Sequence, residues 1–272
     1  MAIRLIASDL DGTLMAPDHM TVTQRTKDAL LAMHEKGAKI AIATGRTLSF
    51  IENVTAQIPF VDYVIYSNGA SVYDRAKKSV VYQNHISPEN TAAAVEMLSH
   101  YPVYYHIYAG GKIFVQNGRE KYLGNLEMPD EFINYLLSKF EGCDDVAERV
   151  RGMDAEIFDL FSMSGEDSVK ILGWFDSRGF ITTSAVGSEV AVSVRGADKG
   201  TALKGLCEHL GIGANEVMAF GDAENDCPML EFAEYSFAMD NGSDICKKSA
   251  RFSAPSNAYD GVAQMIEKYG LE

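Results

Sequence analysis

Hydrophobic and polar positions follow two alternating rhythms along the first third of the chain. Ile3, Leu5, Ile6 and Ala7 form a short, nearly continuous apolar run, the pattern of a strand buried on both faces. Val22, Thr26, Ala29, Leu30 and Met33 then recur at helical spacing, and Gly37 stands where a helix ends. Lys39–Ala43 repeats the apolar run, a helical segment follows to about Gln57, and Tyr63–Tyr66 forms a third run. Strand, helix, strand, helix, strand predicts a parallel sheet with right-handed crossovers. Each run stops in a polar loop containing glycine: Asp9–Leu14, Thr44–Thr47 and Ser67–Gly69. A parallel sheet sets all of these loops along one edge.

The rhythm then changes. Val72–Tyr73 and Val80–Tyr82 predict a hairpin. From about Asn84 to Val192 the order is mixed. A helix is capped by Ser87 and opened by Pro88, and strands at 104–108 and 113–116 are joined by Gly110–Gly111. A helix over 129–140, a strand over 157–163, a helix over 167–176 and strands at 180–184 and 189–194 follow. From Lys199 the first rhythm resumes, with a helix ended by Gly211, strands at 216–220 and 235–239, and a closing helix over 259–269. The pattern predicts an α/β protein. Its Rossmann-like core with a parallel sheet is built from 1–83 and 193–272, and an α+β unit, 84–192, is inserted into it.

Composition narrows the function. The 272 residues carry a net charge of −14, which argues against nucleic acid as a partner, because phosphate backbones need basic patches. No apolar run is long enough to span a membrane, and the N-terminus lacks the features of a signal peptide, so a cytoplasmic protein is expected. Cys143, Cys207, Cys227 and Cys246 show no metal-binding or redox spacing and are expected as free thiols. The histidines, His19, His34, His85, His100, His106 and His209, show no metal-binding spacing either, and surface or structural roles are expected for them. His106, Tyr104, Tyr105 and Tyr108 read as core of a strand packed on helices, with a substrate-facing role as the alternative.

The candidate chemistry sits at the predicted strand ends. Asp9 and Asp11 are two carboxylates just beyond a buried strand, where open parallel sheets bind ligands. Their mutual repulsion calls for a cation, and an all-oxygen site suits Mg²⁺. Asp9–Gly12 also fits an ordinary turn, Thr44 a helix cap, Lys199 a solvated lysine, and Asp222–Asp226 a solvated acidic loop. What favours a site is that all four follow an apolar strand or open a helix.

That order resembles the haloacid dehalogenase superfamily of phosphatases. Asp9-Leu10-Asp11-Gly12-Thr13-Leu14, Ala43-Thr44-Gly45-Arg46, Lys199 within Asp198–Leu203, and Gly221-Asp222 through Asn225-Asp226 are similar to its four motifs. Ser67-Asn68-Gly69-Ala70 and the large late insertion resemble its Cof-like branch, which has a C2-type α/β cap. The resemblance implies Asp9 as nucleophile, forming an aspartyl-phosphate, and Asp11 as general acid and then base. It implies Mg²⁺ held by the Asp9 side chain, the Asp11 carbonyl and Asp222. It implies phosphate contacts from Leu10, Thr44, Gly45, Lys199 and Asn225, with Asp226, Asn68 and Gly69 in support. The expected substrate is a small phosphorylated metabolite such as a sugar phosphate, with the leaving-group pocket in the cap, and a monomer or weak dimer is expected. A phosphomutase or phosphotransferase on the same core, or a non-catalytic phospholigand-binding protein, are the alternatives. An acid at position 11 favours catalysis, since a pure binder has no need of one.

Overall fold

The computed structural model describes residues 2–122, 138–161, 163, 165–184 and 190–271. Its strands are β1 (Leu5–Ser8), β2 (Lys39–Ala43), β3 (Tyr63–Tyr66), β4 (Ser71–Asp74), β5 (Ser79–Gln83), β6 (Tyr104–Ala109), β7 (Lys112–Gln116), β8 (Phe140–Cys143), β9 (Ile157–Phe161), β10 (Phe180–Ser184), β11 (Val190–Val194), β12 (Val217–Gly221), β13 (Tyr235–Met239) and β14 (Phe252–Ala254). The chain divides into two compact units, Met1–Gln83 with Asp198–Glu272, and Asn84–Ala197. The return to the first unit therefore comes at 198 rather than at the expected 193. A boundary at 193 would cut β11, which pairs with β9 and β10 inside the second unit.

The first unit holds a sheet in the order β14-β13-β12-β1-β2-β3-β4-β5. Pairing is parallel from β14 to β3, and β3, β4 and β5 are antiparallel. Leu5 and Ala7 of β1 share a face with Ala41, Ala43, Val217 and Ala219, and they pack on Ala202, Leu203 and Leu206 of the helix Lys199–Leu210. The alanines keep this face shallow, so the helix that begins with Lys199 lies close to the sheet. Ile6, Ile40, Ile42, Val64, Met218 and Phe220 fill the other face, against the helices Gln24–Glu35 and Gly261–Ile266. Each such aliphatic side chain contributes about 1.5–3 kcal/mol through burial. β1 therefore sits at the centre of the sheet, held on both faces and along both edges.

The second unit carries a sheet in the order β10-β11-β9-β6-β7-β8, antiparallel except for β7 with β8. One face, with Tyr105, Ile107, Phe114, Phe158, Leu160 and Val192, packs on Val95 and Leu98 of the helix Pro88–Ser99 and on Ile171 and Phe175 of the helix Gly165–Asp176. The expected cap of the first helix is present, since Ser87 Oγ accepts from the Asn90 N–H. On the other face His106 is ringed by Tyr104, Tyr108, Phe140 and Phe161. Its Nε2 lies 3.0 Å from the Tyr104 hydroxyl, and its Nδ1 has no hydrogen-bond partner among the described residues. Burial pushes its pKa down to about 3.

Several short elements differ from the expectation. The helix expected over 129–140 lies mostly outside the described residues, and Phe140 itself begins β8. Glu189, expected as the start of the last strand of this unit, also lies outside them. The strand β14 and the short helices Val146–Arg149, Cys227–Phe232 and Asp244–Ser249 were not expected. The four cysteines are free thiols. No described helix is long and apolar enough to cross a membrane.

Candidate active site

The ends of β1, β2, β3 and β12 bring the candidate residues together in the first unit. β1 hands over to Asp9, whose N–H donates to the Phe220 carbonyl of β12 at 3.0 Å. The chain then turns through Leu10–Leu14, closed by the Leu14 N–H donating to the Asp9 carbonyl and the Met15 N–H to the Leu10 carbonyl. Gly12 makes the turn possible. Its φ is +82°, and a Cβ there would lie 2.4 Å from Asp222 Oδ2. Leu10 anchors the turn in the core. Thr13 Oγ1 donates to Asp222 Oδ1 at 2.8 Å, and Asn241 Nδ2 donates to the Gly12 carbonyl at 2.8 Å.

Three carboxylates meet here. One oxygen each from Asp9, Asp222 and Asp226 lies within 4.8 Å of the others. The Asp11 carboxylate is not part of this cluster. Lys199, buried at the start of its helix, donates through Nζ to Asp9 Oδ1 at 2.7 Å and to Asp226 Oδ1 at 2.6 Å. Lys199 is thus no solvated surface lysine. Asp226 spends its other oxygen on the N–H groups of Asp222 and Ala223, at 2.9 and 3.0 Å. It therefore shapes the acidic loop and anchors the lysine. Gly221 makes room for it, since a Cβ there would lie 2.4 Å from Asp226 Cβ.

Burial raises the Asp9 pKa, against the pull of Lys199 and with help from the nearby Asp226 and Asp222. Burial also raises the Asp222 pKa, which the Thr13 hydrogen bond partly offsets. For Lys199, burial disfavours the ammonium, but Asp226 and Asp9 together outweigh it and hold its pKa above the ordinary value. One buried cation among three carboxylates leaves excess negative charge, and the free donors are all oxygens. That set fits a hard divalent cation such as Mg²⁺.

Asp11 has different neighbours. Arg46 grips it with both arms, Nε to Oδ2 at 2.8 Å and Nη2 to Oδ1 at 2.6 Å, and His19 Nδ1 lies 3.2 Å from Oδ1. Sequence reading named neither Arg46 nor His19 as a site residue. Arg46 lies inside a quoted motif and offered a signal, whereas His19 offered none. Thr13 and Asn241 were likewise not singled out.

Thr44 follows β2 with its N–H donating to the Ile65 carbonyl, and its hydroxyl oxygen accepts from the Arg46 N–H at 3.1 Å. The contact spans two residues and makes a turn, not the helix cap of the alternative reading, because the next helical turn, Leu48–Phe50, begins after Thr47. It leaves the hydroxyl proton available to a ligand. Asn225 Nδ2 donates to Asn68 Oδ1 at 2.9 Å. Gly69 packs so closely that a Cβ would lie 2.2 Å from the Asp198 carbonyl.

Comparison with known proteins gives a consistent answer. Residues 6–266 match the family of haloacid dehalogenase-like hydrolases. The phosphatase YwpJ of Bacillus subtilis is 28% identical, covering 97% of this chain and 99% of its own. The 5-amino-6-(5-phospho-D-ribitylamino)uracil phosphatase YcsE of the same organism is 25% identical, covering 99% and 96%. The structure of BT1666 from Bacteroides thetaiotaomicron, described among phosphatases of this superfamily, superposes with a TM-score of 0.81 at 25% identity, covering 100% of this chain and 96% of that one. The chain therefore belongs to the haloacid dehalogenase-like hydrolase family, as one of its phosphatases.

Proposed function

We propose that this phosphatase hydrolyses small phosphorylated metabolites of the sugar-phosphate kind, in the cytoplasm, with Mg²⁺ and through an aspartyl-phosphate on Asp9. The observation that carries the reading is the buried ion triad in which Lys199 bridges Asp9 and Asp226 beside Asp222. A relative acting on a phosphorylated ribityl compound supports the substrate class.

In the first half-reaction an Asp9 oxygen attacks phosphorus, and the bond to the substrate oxygen breaks. Asp11 gives its proton to the departing alkoxide. In the second half Asp11 takes a proton from water as that water attacks phosphorus, and phosphate leaves Asp9. Such proton transfer is typically worth about 10²–10⁴-fold. The Thr44 hydroxyl, the Gly45 and Leu10 amides, the Asn225 amide and Lys199 would hold phosphoryl oxygens and offset their charge. The Asp9 and Asp222 side chains and the Asp11 carbonyl would hold Mg²⁺, which supplies Lewis-acid neutralisation of the phosphoryl charge. The Arg46 fork holds both Asp11 oxygens and so aims the carboxylate, and one arm lets go when Asp11 delivers its proton.

The test is phosphate release from a panel of sugar phosphates, nucleotides and an aryl phosphate, with and without Mg²⁺, for the wild type and Asp9→Asn. Free phosphate that requires both Mg²⁺ and Asp9 is the expected result. An isomerised sugar phosphate without free phosphate would point to a mutase, and tight binding without turnover to a binding protein.

A further inference from the structure

The turn after β3 is built at a conformational cost. Ser67, Asn68 and Gly69 have φ of +49°, +53° and +95° in succession. Left-handed backbone suits glycine, and two of the three carry side chains. The turn is pinned from several sides. The Ser67 N–H donates to the Arg46 carbonyl at 3.0 Å, and the Asn68 N–H to the Thr44 carbonyl at 3.1 Å. Gly69 presses on the backbone of Asp198 and Lys199. One strained turn therefore touches the Thr44–Arg46 loop and the start of the lysine helix, and through Asn68 it reaches the acidic loop.

What the conformation achieves is the placement of one carboxamide. Asn68 Oδ1 accepts from Asn225 Nδ2 at 2.9 Å, and a Cβ on Gly45 would come within 3.0 Å of that same oxygen. The Asn68 side chain thus lies against Gly45 and the Asn225 side chain, two residues assigned to the phosphoryl oxygens. We infer that Asn68 is a positioning residue that orients the Asn225 carboxamide toward the substrate phosphate, and that the strained turn exists to hold it there. With one Nδ2 hydrogen engaged by Asn68, the Asn225 amide no longer rotates freely, and its second hydrogen has a fixed direction. The inference rests on the reading of Asn225 as a phosphate contact.

Three variants test it: Asn68→Gly, Asn225→Ala and the double substitution. Glycine adopts the left-handed backbone readily, so Asn68→Gly is expected to fold with an unchanged or raised Tm. Its KM for an aryl phosphate and its inhibition constant for inorganic phosphate should rise about tenfold, the scale of one lost hydrogen bond. The double variant should lose no more than Asn225→Ala alone, because Asn68 acts through Asn225. Wild-type phosphate inhibition in Asn68→Gly beside a weakened Asn225→Ala would overturn the inference and leave the Asn225 reading standing. Additive losses in the double variant would do the same. Wild-type behaviour in Asn225→Ala would overturn both.

Discussion

Asp9 and Asp11 leave the same turn two residues apart and enter opposite surroundings. Asp9 faces inward, its side chain 8% exposed, against a lysine that is 1% exposed and shared with Asp226. Asp11 faces outward, 39% exposed, against Arg46 and His19. On the inner side, the buried Lys199 holds the Asp9 carboxylate at a fixed position, which suits a group that must hold still while phosphorus is transferred. On the outer side, the charges have access to water and their ion pair is weak enough to open, which suits a group that must exchange a proton. One chain segment supplies two carboxylates, and their environments differ as the two roles proposed for them require.

The largest expected effect is on the inner side. Lys199→Met leaves Asp9 and Asp226 buried without their cation. Unfolding should become easier by about 3–5 kcal/mol, read by denaturant titration, and turnover should vanish. A well-folded Lys199→Met of wild-type stability would break the contrast between the two sides. Asp11→Asn removes a partly exposed group, so the stability change should be below about 1 kcal/mol. Turnover of alkyl phosphates should fall about 10²–10⁴-fold, and steady-state kinetics checks both.

His106 sharpens the comparison by showing what burial does to a titratable group. Its pKa lies at about 3 in the fold, so as pH falls below roughly 6.5, the ordinary histidine value, the unfolded chain takes the proton first. The fold therefore loses stability over the window from about 6.5 down to about 3, by about 2 kcal/mol between pH 7 and pH 5. His106→Gln should remove that part of the slope in a series of denaturant melts. The smallest effect belongs to Arg46→Met. Its loss should leave Tm nearly unchanged and lower kcat about tenfold for alkyl phosphates, with little change for an aryl phosphate whose leaving group needs no acid. An equal loss on both substrates would mean that Arg46 does something other than aim Asp11.

How much of this was legible in the sequence follows from the range of each interaction. The apolar runs of β1, β2, β3 and β12 and the polar loops after them are local signals, and those elements lie where the pattern put them. The β4–β5 hairpin was legible for the same reason. β8, with the sequence Phe-Glu-Gly-Cys, has no strand alternation of its own and is a strand because β7 pairs with it. β14 and the helices Cys227–Phe232 and Asp244–Ser249 span three to six residues, too few for a period to show. Within the site, the acids and Lys199 stood out because each ends a strand or opens a helix. The Arg46 grip on Asp11 joins residues 35 apart, and parallel pairing of β1 with β2 brings their loops together without saying which side chains meet. His19 reaches Asp11 from a loop with φ of +55°, a conformation that no spacing rule encodes.

The division of labour between the two carboxylates has a direct measurement. Asp11→Asn and Asp9→Asn are each mixed with an aryl phosphate and Mg²⁺, quenched in acid, digested and weighed by mass spectrometry. The account predicts that Asp11→Asn accumulates one phosphoryl group on the peptide holding Asp9, because the departing phenolate needs no acid while the attacking water lacks its base. Asp9→Asn should carry none. A phosphoryl group on another residue, or its absence from Asp11→Asn while phosphate is still released, would contradict the assignment of Asp9 as the group that is phosphorylated.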